Sequence, residues 1–201
     1  MIKTLFIDLD GVLRIWGAEQ DTCTEQFGLP HGAIRQIAFA PERLLPAITG
    51  HISDDEWRTS IAEHLHRQFP DVDAVQAVQA WSKPIGTVDH AMLEVVRNCR
   101  QHTRILLITN ATSRLPSDLD QLGLSDEFDY IINSSSVGAA KPDTRIFTAA
   151  LHIASATANE TLFIDDSAGH VAAAIEIGLK GHIYQDIHKV RQVLQNHGLL
   201  E

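Results

Sequence analysis

The sequence predicts an α/β fold: a doubly wound parallel five-stranded core carrying a small inserted α-helical domain. Three observations lead there. Five short apolar runs read as strands buried on both faces, helical patterns separate the later ones, and a long helical stretch breaks the rhythm after the first.

The first strand is expected over Ile2 to Ile7 and runs into Asp8-Leu9-Asp10-Gly11. A doubly covered strand has no structural use for two acids at its C-terminal end, and in open α/β sheets that end is where ligands bind. The other strands are expected over Arg104 to Ile108, Tyr130 to Ile132, Thr161 to Ile164 and Gly181 to Tyr184. Between them, Met92, Val95, Val96 and Cys99 recur at helical spacing, as do Ile146, Phe147, Ala150 and Leu151, and Val171, Ala174 and Ile175. A last helix is expected from His188 towards Gly198.

The stretch from Arg14 to Pro84 shows helical patterns and no convincing strand, and it far exceeds an ordinary crossover. Helices are expected over Asp21 to Phe27, Gly32 to Phe39 and Asp71 to Ser82. Another starts at Ser53, where Ser53 and Glu56 form a capping-box signature and Trp57, Ile61, Leu65 and Phe69 share a stripe. Residues 1–14 and 86–201 are therefore assigned to the core and 15–85 to the insertion, with Arg14 to Gly17 and Lys83 to Gly86 as its connections.

Composition narrows the function. A chain of 201 residues with 44% hydrophobic and 21% charged residues is ordinary for a globular protein. The formal charge of −10, with 16 scattered basic residues, argues against nucleic acid as a partner. No apolar stretch is long enough for a bilayer, and Asp8 and Asp10 interrupt any leader pattern. Cys23 and Cys99 make no disulfide framework, so a reducing cytoplasm is the expected setting. Among 11 histidines, His64 and His66 lie two apart and no cysteine pair accompanies them, which argues against zinc.

Further strand ends repeat the opening pattern: Thr109-Asn110, Asp165-Asp166, and the third strand leading to Lys141-Pro142 before a helix. In a parallel sheet these meet on one edge. Four carboxylates and one ammonium would repel themselves, and a hard divalent cation removes that repulsion. Lys141, the Thr109 hydroxyl and helix-start amides suit a phosphate.

In these four motifs, in this order, the chain resembles the haloacid dehalogenase-like superfamily, in its phosphatase branch, with a Rossmann-like core and a helical cap after the first motif. Each motif alone has an ordinary explanation as a turn, cap or solvated helix start; four in order at four strand ends do not. The resemblance implies Asp8 as nucleophile, Asp10 as general acid and base, and a small phosphorylated metabolite as substrate. It implies Mg²⁺ held by Asp8, the Asp10 carbonyl and Asp166, with Asp165 acting through water. Thr109, Asn110 and Lys141 are expected at the phosphate, and Arg14 and Trp16 are possible substrate contacts from the cap connection. The family's dehalogenases lack an acid two residues after the nucleophile, so Asp10 favours phosphoryl chemistry. A phosphotransferase or mutase with the same intermediate, and a catalytically idle binding relative, are the alternatives. His170 departs from the pattern, where many relatives carry Asn.

Overall fold

The computed structural model describes residues 1–22 and 24–200; Cys23, within the helix expected from Asp21 to Phe27, and Glu201 lie outside the described residues. The five-stranded sheet has the order β5-β4-β1-β6-β7, all parallel: β1 (Thr4–Ile7), β4 (Arg104–Thr109), β5 (Tyr130–Asn133), β6 (Thr161–Asp165) and β7 (Lys180–Ile183). The chain starts in the middle strand and winds outward twice, the doubly wound topology the sequence predicts.

Strand alternation builds two cores. Leu5 and Ile7, Ile105 and Leu107, and Leu162 and Ile164 point to one face. There they meet α6 (His90–Arg100), α7 (Leu115–Leu122) and α11 (Ile187–Asn196). Phe6, Leu106, Ile108 and Phe163 point to the other face, against α9 (Thr144–Ile153) and α10 (Ala168–Glu176). Phe147 and Phe163 pack edge to face there, 5.0 Å between centroids. A short α8 (Ser134–Val137) follows β5.

The stretch after β1 is helical, as expected, with its own core. It holds α1 (Glu19–Thr22), α2 (Ala33–Ala38), α3 (Pro41–Ile48), α4 (Asp54–Gln68) and α5 (Ala74–Ser82). Trp57, Ile61, Leu65, Val78 and Trp81 form the centre of this core, and the Trp57 indole donates to the Ala38 carbonyl at 3.2 Å. On α5, Ala74 and Ala77 take buried positions while Val75 is 58% exposed.

Helices α3, α7 and α8 and strands β2 (Arg14–Ile15) and β3 (Thr87–Val88) were not foreseen. Helix α3 carries Pro46 inside it, which obscures a helical reading. The two connections of the insertion pair as a short antiparallel ladder of β2 and β3, too brief to show an alternation. The insertion is fastened to the core at further points. Gly50, at φ +73°, lies so close to the Ser135 carbonyl that a Cβ there would sit 2.0 Å from its oxygen. The Asp54 amide donates to Ser113 Oγ at 3.0 Å, and Thr112 Oγ1 donates to Asp54 Oδ1 at 2.7 Å.

The capping box at the start of α4 is formed: the Glu56 amide donates to Ser53 Oγ at 3.2 Å and the Ser53 amide to Glu56 Oε2 at 2.7 Å. Ser53→Ala is expected to cost about 1 kcal/mol, and Ser53→Asp much less, as read from denaturant midpoints.

Candidate active site

The alternation that builds the cores also builds the site. Ile7 pairs with Ile164, and the Asp8 amide donates to the Ile164 carbonyl at 3.0 Å. Asp8 and Asp165 thus end two neighbouring strands on the face shared by Phe6 and Phe163. Both are buried, at 5% and 0% exposure.

Lys141, 4% exposed, reaches between them. Its Nζ lies 2.7 Å from Asp8 Oδ1 and 2.6 Å from Asp165 Oδ2, and donates to the Ile108 carbonyl at 3.0 Å. These contacts occupy all three ammonium protons. Asn110 holds the lysine's backbone. Its Oδ1 accepts from the Lys141 amide at 2.7 Å, and its Nδ2 donates to the Lys141 carbonyl at 2.8 Å. Thr109, the last residue of β4, is buried at the same sheet edge.

The electrostatics are strained by burial. Burial pushes the Asp8 carboxyl up to about 7; Lys141 offsets part of this, while Asp165 and Asp10 add to it. Burial also opposes ionisation of Asp165, but His170 and Lys141 outweigh it and hold the carboxyl well below its usual range. His170 Nδ1 lies 3.1 Å from both Asp165 oxygens. Asp166 is exposed, with its pKa raised by partial burial and by Asp165.

After β1 the chain turns tightly. The Leu9 carbonyl accepts from Leu13 and Arg14 amides at 2.8 and 2.7 Å, and the Gly11 amide donates to the Arg14 carbonyl at 2.9 Å. Gly11 has φ +78°, and a Cβ there would lie 2.2 Å from Asp166 Oδ2. Only glycine lets this loop pass so near the acidic pair. The turn brings Arg14 back over Asp10. Arg14 Nε donates to Asp10 Oδ1 at 2.7 Å, Arg14 Nη2 to Oδ2 at 2.9 Å, and Trp16 Nε1 to Oδ1 at 2.6 Å. Arg14 and Trp16, named from the sequence as possible substrate contacts, both donate to Asp10. Arg14 supplies a second positive charge that the four motifs do not include.

One ligand atom from each of Asp8, Asp165 and His170 lies within 4.8 Å of the others. This group overlaps the expected metal set but differs from it. Asp165 is closed in by Lys141 and His170, and Asp166 stands to one side near Gly11. The donors are mainly carboxylate oxygens. Burial first, and the neighbouring Asp165 after it, raise both Asp8 and Asp166; a hard divalent cation beside them would favour their ionised form, so the residues fit such an ion.

Residues 2–178 match the model of haloacid dehalogenase-like hydrolases. The chain belongs to that family. It is 26% identical over 200 residues to drimenol cyclase drtB of Aspergillus calidoustus, covering 98% of this chain but 36% of that one. The chain spans about half or less of the length of the next curated relatives as well. It is 24% identical over 191 residues to D-ribitol-5-phosphate phosphatase of Bacteroides thetaiotaomicron, covering 90% of each. Among solved structures, a family enzyme from Bacteroides thetaiotaomicron in complex with magnesium and inorganic phosphate superposes with a TM-score of 0.76. It is 25% identical, covering 94% of this chain and 99% of that one.

Sequence reasoning did not reach Asp118, the second partner of Arg14. Its one local signal is the spacing of four from Arg114, the residue that precedes the same helix.

In metal-free buffer, Asp8 should couple stability to pH with a definite sign. Unfolded, it ionises near 3.8; folded, it keeps its proton to about 7. The folded chain binds the extra proton between these values, so this contribution falls as pH rises and levels off above about 7. Asp8→Asn removes it. The melting temperature of Asp8→Asn relative to wild type should rise from pH 4 to pH 7; a constant difference would remove Asp8 as the source.

Proposed function

We propose that the protein is a Mg²⁺-dependent phosphatase that hydrolyses a small phosphorylated metabolite through an aspartyl-phosphate on Asp8. The observation that carries this reading is the division of labour between two acids. Asp8 is buried against an ammonium, while Asp10, two residues on, is partly open and fixed by three donor contacts. A halide leaving group needs no second acid; an alkoxide does.

In this reading the Leu9 amide and Lys141 both contact Oδ1 of the Asp8 carboxylate, so Oδ2 is the attacking oxygen. The Oδ2–phosphorus bond forms as the ester oxygen leaves with a proton from Asp10. Asp10 then takes a proton from the water that cleaves the acyl phosphate, which restores both carboxyl groups. Asp8, the Asp10 carbonyl and Asp166 would hold the ion. When bound, Mg²⁺ screens the charge between an anionic nucleophile and an anionic phosphate. Thr109 and the backbone of Asn110 contribute to the phosphate site, whereas Lys141 serves chiefly to hold Asp8 and Asp165. Residues 15–85 act as a cap that excludes water and selects the leaving group, and 1–14 with 86–201 form the catalytic core. Cytoplasmic residence belongs to the same proposal, on the sparing use of cysteine and the free, buried Cys99. Among the described residues, no helix is long and apolar enough to cross a membrane.

The phosphatase relative and the magnesium and phosphate of the similar structure support the reading. A panel of sugar phosphates, nucleotides and short phospho-acids, with ribitol 5-phosphate among them, should yield inorganic phosphate. Asp8→Asn should lower turnover by at least about 10³-fold, scaled from the loss of a catalytic nucleophile, with the thermal transition retained. A chelator should abolish phosphate release, and added Mg²⁺ should restore it; undiminished release in chelator would contradict the assignment.

A further inference from the structure

Asp10 is held by groups that the four motifs do not supply. Arg14 is buried, and its three nitrogens are divided between two carboxylates. Nε and Nη2 grip Asp10, while Nη1 donates to Asp118 Oδ2 at 3.2 Å. Burial works against the Arg14 charge, but Asp10 and Asp118 outweigh it and keep the guanidinium's pKa above its ordinary value. The guanidinium also lies 4.7 Å over the ring of Trp16, whose indole is the third donor to Asp10. Asp118, on α7, is itself buried, and its Oδ1 pairs with Arg114 Nε at 2.7 Å. Arg114 Nη1 donates to the Ser82 carbonyl at 2.6 Å, at the last residue of α5 in the helical insertion.

We infer that Asp118 is a positioning residue for proton transfer: through Arg14 it fixes the orientation of Asp10, and through Arg114 it ties that orientation to the seating of the helical insertion. The inference rests on the phosphatase reading, in which Asp10 moves the proton. A guanidinium is planar, so a two-point grip on Asp10 constrains the carboxylate only if the guanidinium plane is itself fixed. Asp118 fixes it from the third nitrogen. Asp10, Arg14, Asp118 and Arg114 alternate in sign, so no member of the row is buried without a counter-charge. The sequence separations explain why the row is needed. Asp10 lies at a tight turn where, among the described residues, its only backbone bridge is to Arg14, and α7 gives it a point of attachment outside that turn.

The test uses the Mg²⁺-loaded enzyme and two probes. Glycerol 2-phosphate has an alkoxide leaving group that needs a proton, whereas 2,4-dinitrophenyl phosphate has one that does not. The ratio kcat/KM reports only the phosphorylation half-reaction, where Asp10 is the acid. For Asp118→Asn, kcat/KM on glycerol 2-phosphate should fall about 10²-fold, the scale of a misplacement of about 1 Å, and that on 2,4-dinitrophenyl phosphate by less than about threefold, since its leaving group needs no acid. Equal losses on both probes would mean a merely structural residue and overturn the inference; so would no loss on either. If Asp118→Asn loses its thermal transition, Arg14→Lys, which keeps the charge but not the fork, must show the same split between probes. Where glycerol 2-phosphate is not turned over, the alkyl phosphate of the panel that is takes its place; wild-type enzyme inactive on every phosphate tested would refute the phosphatase reading, and this inference with it.

Discussion

One ammonium group makes the site possible. Two parallel strands in register end in buried acids, and the pleat directs both to the same face. Without a cation between them, neighbouring carboxylates in a poorly solvated pocket would not both ionise. Lys141 lies within 2.7 Å of each and also donates to the carbonyl of Ile108. The lysine is therefore anchored to three adjacent strands of the sheet at once. Burial outweighs it at Asp8, whose carboxyl stays raised with Asp165 and Asp10 adding to the effect, and a further cation suits the place.

The second acid is held by separate means. Asp10 belongs to a tight turn whose geometry requires glycine next to it, and the turn returns Arg14 to it four residues later. The helical insertion begins immediately after this turn. Its two connections pair with each other through Arg14 and Val88, and Arg14 is also the residue that grips Asp10. The turn, the grip and the root of the insertion are thus built from one short segment, and the orientation of Asp10 cannot be separated from how the insertion is attached.

Much of this was legible in the sequence. The doubly wound parallel sheet followed from apolar runs alternating with helical patterns, and the motif residues were picked out by their places at strand ends. The insertion was legible as an interruption of that rhythm. What stayed hidden depended on contacts that no local pattern encodes. Arg14 and Asp118 are 104 positions apart, and nothing in either neighbourhood announces the other. Asn110 read as a phosphate neighbour because of its position, but its side chain is spent on the backbone of Lys141, 31 residues away. The β2–β3 ladder has two residues per strand, below the length at which a period of two can be recognised.

The reciprocal bonds between Asn110 and the Lys141 backbone also bear on how this fold can diversify. They close a loop whose two ends are locked together independently of what lies between. Residues 111–140 carry α7, β5 and α8, yet the lysine's location is referred to the end of β4 rather than to the path that leads up to it. Surface turns within that excursion can lengthen or shorten over generations while the ammonium stays at the same coordinates. The excursion and the anchored lysine meet at the Asn110 side chain.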